Sequence, residues 1–156
     1  MRAVQIVARG RPEIVEVPVP EPEPGSALVR PVMLAICGSD VRIVYYAPEE
    51  EYPYPVGRNG HEIIAEVEVL NGPAEGVAEG DLVLALKHGE AGMCEHFVTA
   101  VENLLPLPEG RPLEELLMAQ QLGGEPDDQP HPRLPVGEQD VQVGQRPPEV
   151  PASHLL

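Results

Sequence analysis

Apolar residues along the first hundred positions recur mainly with a period of two, the spacing of strands that send alternate side chains toward a core. Residues 1–8 and 13–19 read as two short strands, and the Gly-Arg-Pro sequence at positions 10–12 supplies turn chemistry between them, giving an N-terminal hairpin. Positions 20–25, Pro-Glu-Pro-Glu-Pro-Gly, lack ladder donors at each proline and form an extended connection. A strand over 27–36 follows. Residues 37–46 have a short pattern compatible with a helix, and 47–59, rich in Pro, Glu and Tyr, form a loop of the kind that often carries function.

Alternation returns over 61–70, the Asn71-Gly72-Pro73 turn ends it, and 81–86 and 95–101 give two further strands. Positions 112–122 are the best helix candidate. Pro112 lies near the first turn, Glu114 and Glu115 sit at the positive end, and Leu113, Leu116, Leu117 and Met118 share one side. After Gly123 the sequence turns to Glu, Asp, Gln, Pro and His with few apolar neighbours, too little to offset its ordering entropy. The expectation is one mainly β domain over 1–122 and a disordered or degenerate tail over 123–156.

Composition narrows this further. With 42% hydrophobic but only 3% aromatic residues and no Trp, the core must be built from Val, Ile, Leu and Ala, which suits strands. A length of 156 residues allows one domain with a real core and is short for two. The 26 acidic against 10 basic residues give a formal charge of −16, which repels phosphate backbones and anionic lipid; neither nucleic acid nor membrane is an expected partner. The plain role of this charge is a solvated, soluble surface. The two cysteines, Cys37 and Cys94, occur without a secretory signal or a long apolar run, so a cytoplasmic, reducing location is expected. One disulfide remains open to them, although nothing in the spacing argues for it.

Two clusters carry candidate chemistry: Cys37-Gly38-Ser39-Asp40 and Gly60-His61-Glu62. Taken singly, a cysteine at a strand end is a small buried hydrophobe and a histidine beside a turn is a hydrogen-bonded side chain. Delivered together from two strand ends by a long loop, a thiolate and an imidazole can meet at a soft metal such as zinc. Ser39, two residues from the thiolate, could then pass a proton, and the Asp40 carboxylate could hold the second ring nitrogen of His61.

The order Ile36-Cys37-Gly38-Ser39-Asp40, Gly60-His61-Glu62, Gly80-Asp81-Leu82-Val83 and Glu95-His96-Phe97-Val98 resembles the zinc-dependent medium-chain alcohol dehydrogenases, over residues 1–121. The resemblance implies the irregular GroES-like β-barrel of their N-terminal domain, with a few short helices. It implies Cys37 and His61 as ligands of one catalytic zinc and Glu62 as the acid that approaches or joins them. It makes Ser39 the proton-relay hydroxyl and Asp40 the partner of the histidine ligand. The implied reaction takes a proton and a hydride from an alcohol or polyol, the hydride going to NAD(P).

Several features depart from that family's pattern. Arg42 stands near the place of a relay histidine, and residues 87–93 run directly into Cys94 and Glu95 where a four-cysteine lobe would stand, so no structural zinc is expected. The family's further ligand matches best at Gln120, a weak zinc donor. Cys94 could substitute as a thiolate, but its place on a core strand favours a structural thiol. A dinucleotide domain should follow the 112–122 helix. In its place, positions 140–149 align with a first strand and fingerprint only at Gly144, with Arg146 and Glu149 where the second and third glycines should be.

A genuine short protein, a frameshifted product departing near Gly123 and a fragment are the three explanations, and the abrupt change of composition favours the second. Alongside the enzyme reading stand a noncatalytic zinc-binding barrel that survives as a fragment or associates with a full-length relative, a co-chaperonin-like barrel and a zinc-free quinone reductase relative; a homo-oligomer is open to the chain as well. Tyr45, Tyr46, Tyr52 and Tyr54 flank the loop and could line a substrate pocket or cover the core.

Overall fold

The computed structural model describes residues 1–86 and 92–118. The tail after Gly123, the pattern at 140–149 and Gln120 lie outside them.

The chain opens with a hairpin of β1 (Arg2–Ala8) and β2 (Arg11–Glu16), paired antiparallel. Gly10 makes the turn at φ 67°, a left-handed conformation that glycine adopts without steric cost. The second strand begins and ends earlier than the apolar pattern suggests. Pro12 is tolerated opposite Ile6 because β2 is an edge strand, whereas Pro18 and Pro20 have no N–H with which to extend the ladder.

Five strands build the second sheet: β3 (Ser26–Ala35), β4 (Glu62–Asn71), β5 (Leu82–Ala85), β6 (Phe97–Ala100) and β7 (Leu104–Pro106), in the order β6-β3-β4-β5-β7. Every pairing is antiparallel. Four of these strands fall within two residues of the expected spans. The fifth, β7, is only three residues long and ends in proline, too short to show a period. Within β3 the register against β4 shifts between Pro31 and Met33, where proline supplies no donor and exposed Val32 has no cross-strand partner.

Successive residues of β4 serve different cores, as strand geometry requires. Ile63, Ala65 and Val67 face the main cluster with Ala27, Val29, Val83, Ala85, Phe97 and Leu104. Ile64 faces the other way, joining Leu84 and Leu117. The sequence's one Phe, Phe97, is buried in a core otherwise built of Val, Ile, Leu and Ala, the aliphatic make-up that composition suggested. The short helix α2 (Leu113–Leu117) covers Ile64 and Leu84, and its expected continuation to 122 passes outside the described residues. A second helix, α1 (Gly38–Tyr45), packs Ile43 and Val44 against Ile6, Ala47 and Tyr54 near the hairpin. Among the described residues no helix is long and apolar enough to cross a membrane.

The β3–β4 ladder fixes where chemistry can occur. Its last registered pair is Ala35 with Glu62. Antiparallel pairing therefore brings the exit of β3 and the entrance of β4 to one end of the sheet, with α1 and the 47–59 loop between them.

Candidate metal centre

Cys37 follows β3 by two residues and is the N-cap of α1. Asp40, in the first turn of that helix, reaches back so that its Oδ2 accepts the Cys37 N–H at 2.9 Å, the carboxylate half of a capping box. His61 and Glu62 enter from β4. The Cys37 Sγ lies 3.7 Å from His61 Nε2 and 2.9 Å from Ser39 Oγ. One donor atom each from Cys37, His61 and Glu62 lies within 4.8 Å of the others. Cys37 and His61 are half-buried, Glu62 is buried, and Ser39 is exposed.

Asp40 also reaches the second cluster. It is 2% exposed, and its other oxygen, Oδ1, accepts the Gly60 N–H at 2.8 Å. One buried carboxylate thus joins the backbone ahead of both metal-ligand candidates, through charge-assisted bonds to two amides. These two hydrogen bonds go to main chain and hold the backbone turns.

Arg42 is exposed on α1. Cys94 is half-buried, forms an isolated bridge with Ala3 and packs against the main core; it stands outside the Cys37, His61 and Glu62 group. Neither cysteine forms a disulfide. Of the tyrosines, Tyr45 and Tyr46 are exposed, whereas Tyr52 and Tyr54 meet edge to face at 5.3 Å. The Tyr52 hydroxyl donates to the Ile43 carbonyl at 2.8 Å, and the Tyr54 hydroxyl donates to Glu51. Burial, followed by the bond to Glu51, pushes the Tyr54 phenol above its ordinary value. Tyr54 belongs to the hairpin–helix core, and Arg58 stacks over its ring at 5.2 Å.

The sequence reading gave no role to Asn59 or Gly92. Asn59 has φ 106° and Gly60 has φ 69°, so the Asn-Gly pair that introduces His61 is a left-handed turn; the dipeptide itself was the available signal. Gly92 lies against Gly60, a contact between residues distant in sequence that leaves no such local signal.

Residues 23–120 match the family model of the alcohol dehydrogenase GroES-like domain. Glucose 1-dehydrogenase of Thermoproteus tenax is 40% identical over 90 residues, which cover 54% of this chain and 25% of that protein. Galactitol-1-phosphate dehydrogenase from Escherichia coli superposes with a TM-score of 0.63 at 18% identity, over 76% of this chain and 41% of that one. The quinone oxidoreductase of Thermus thermophilus gives 0.55 at 27% identity, over 75% and 36%. The chain thus matches about a quarter of the length of that relative and adopts the fold of the matched portion in solved dehydrogenases. With most of its length matched, it belongs to the family of alcohol dehydrogenase GroES-like domains of the medium-chain dehydrogenases.

Proposed function

We propose that the chain is the metal-bearing domain of a cytoplasmic, zinc-dependent and nicotinamide-linked alcohol or polyol dehydrogenase. The observation that carries this reading is the convergence of a thiol, an imidazole and a carboxylate within 4.8 Å from the facing ends of β3 and β4. Such a donor set suits a borderline-soft divalent cation, so these residues fit zinc. When bound, zinc supplies Lewis-acid polarisation of an alcohol oxygen, and a nicotinamide supplies the hydride acceptor.

The chain's own residues then divide the work. Cys37, His61 and Glu62 hold the cation. Ser39, beside the thiol and exposed, takes the alcohol proton and passes it to solvent. Asp40 sets the approach of the two loops through the Cys37 and Gly60 amides. The Cys37, His61 and Glu62 set also favours this reading over a zinc-free quinone reductase relation.

No parallel strand pair occurs among the described residues, and a dinucleotide fold is built on parallel strands. In this reading the nicotinamide is held outside the described residues, and the chain does not turn over alone. The same observation favours a second reading, a noncatalytic zinc-binding barrel that associates with a full-length relative.

Elemental analysis of the purified chain, with Cys37→Ser and His61→Ala alongside, tests the metal. The expectation is about one zinc per chain, lost in both variants; unchanged content in both sinks the site. A nicotinamide titration of the same sample should show no saturable binding. Saturable binding would reject the claim that the chain is inactive alone.

A further inference from the structure

The turn that delivers His61 is held by main-chain contacts from two distant segments. The Asn59 carbonyl accepts both the Gly92 N–H at 3.0 Å and the Met93 N–H at 3.1 Å. Val4 of β1 donates to the Met93 carbonyl at 2.8 Å and accepts the Gly57 N–H at 2.7 Å. β1, residues 92–93 and the 57–60 turn thus close a ring of backbone hydrogen bonds.

Within that ring the Gly60 peptide is approached from both sides. Asp40 accepts its N–H, and a Cβ on Gly60 would lie 3.2 Å from Leu34 Cγ. On the other side, a Cβ on buried Gly92 would overlap the Gly60 carbonyl oxygen, 2.6 Å from its carbon and 2.8 Å from Ile63 Cδ1. Backbone cannot yield to such an overlap as a flexible side chain can. The Gly60 carbonyl carbon is bonded directly to the nitrogen of His61, so a displacement there is passed to the imidazole.

We propose that Gly92 is a positioning residue for the metal centre: its bare α-carbon seats the Gly60 peptide so that the His61 ring meets the Cys37 thiol. This rests on the reading that Cys37, His61 and Glu62 hold a metal. Groups that orient metal ligands typically change affinity by about 10- to 100-fold when altered.

The test is titration of the metal-free chain with cobalt(II), whose visible and thiolate charge-transfer bands report ligand geometry, with folding followed by circular dichroism. Gly92→Ala should weaken cobalt binding by about tenfold or more and shift the bands. Gly72→Ala, which strains the distant Gly25 backbone at 3.1 Å, should change neither. Ile63→Val removes the Cδ1 contact, so the Ile63→Val/Gly92→Ala double variant isolates the overlap with Gly60. A persisting loss in the double variant supports the positioning role; recovery to the level of Ile63→Val alone overturns it, since the loss would then run through core packing.

If Gly92→Ala and the double variant fail to fold, hydrogen exchange on the wild-type chain decides. Metal should slow exchange of the Gly92 and Met93 amides, and unchanged rates reject the proposal. Wild type that binds cobalt while Gly92→Ala binds it equally well defeats this inference alone. Wild type that binds no metal defeats the metal reading and this inference together.

Discussion

The body of the β3–β4 ladder and its loop end are held by different physics. Along its length Val29, Ile63, Ala65 and Val67 are fully buried among aliphatic neighbours. At the end where Ala35 meets Glu62, three of the four buried polar residues among the described ones gather: Asp40, Asn59 and Glu62, with Thr99 the fourth elsewhere. Apolar burial is non-directional and tolerates repacking, whereas buried polar groups depend on particular partners in a low dielectric. The barrel therefore supplies stability and its loop end supplies geometry. Substitutions should separate the two.

The largest effect is expected in the barrel. Phe97 is 2% exposed and the largest fully buried side chain of the main core. Phe97→Ala should cost about 3–5 kcal/mol in urea unfolding, while the variant's folded fraction keeps its cobalt spectrum. A changed spectrum would mean that the two regions are not separable. Asp40→Ala should cost less, about 2–3 kcal/mol, because a buried and a half-buried amide lose a charged acceptor. Unlike the core variant it should also weaken metal binding. Asp40→Asn, which keeps one acceptor oxygen, should fall between wild type and alanine in both measurements.

The same division explains what could be read from sequence. Period-two alternation located β3, β4, β5 and β6 because each buries one face against apolar neighbours, and aliphatic composition anticipated the core. The spacing of Cys37 and Gly60-His61-Glu62 placed the metal-ligand candidates at facing strand ends, where they meet. Alternation gave no warning of β7, whose three residues are set by pairing with β5. Nor could it show that Asp40 bonds the Gly60 amide, twenty residues away, or that Gly92 abuts Gly60. Contacts made by the backbone leave little trace in side-chain pattern.

A smaller effect belongs to the core between hairpin and α1. Tyr54→Phe removes the hydroxyl bond to Glu51 and should cost about 1 kcal/mol at neutral pH. The folded phenol titrates above its unfolded value, so folding favours the protonated ring. That contribution is complete below about pH 10 and is lost as pH rises through the raised folded value. Wild type should therefore lose stability more steeply than Tyr54→Phe on the alkaline side. Parallel curves above pH 10 would assign the alkaline loss to other groups.

The smallest effect should arise where the segment that contains Gly92 is fastened to β1. Glu95 accepts the Arg2 backbone N–H at 2.7 Å and its side-chain Nε at 2.8 Å, and these bonds, the backbone one first, hold its carboxyl below the usual range. The depressed value means that the folded state favours the ionised form. Its contribution is present above the unfolded carboxylate range, near pH 4–5, and disappears as pH falls through the lower folded value. Exposure and salt screening keep such a pair weak. Glu95→Gln should lower Tm slightly at pH 7 and low salt, with the gap to wild type closing both in acid and at high salt. If the gap is large and insensitive to salt, Glu95 acts through the backbone clasp that bears on Gly60, and the cobalt spectrum of Glu95→Gln should then shift toward that of Gly92→Ala. An unaltered spectrum with a small, salt-sensitive gap would leave the clasp to the main-chain bonds of Gly92 and Met93.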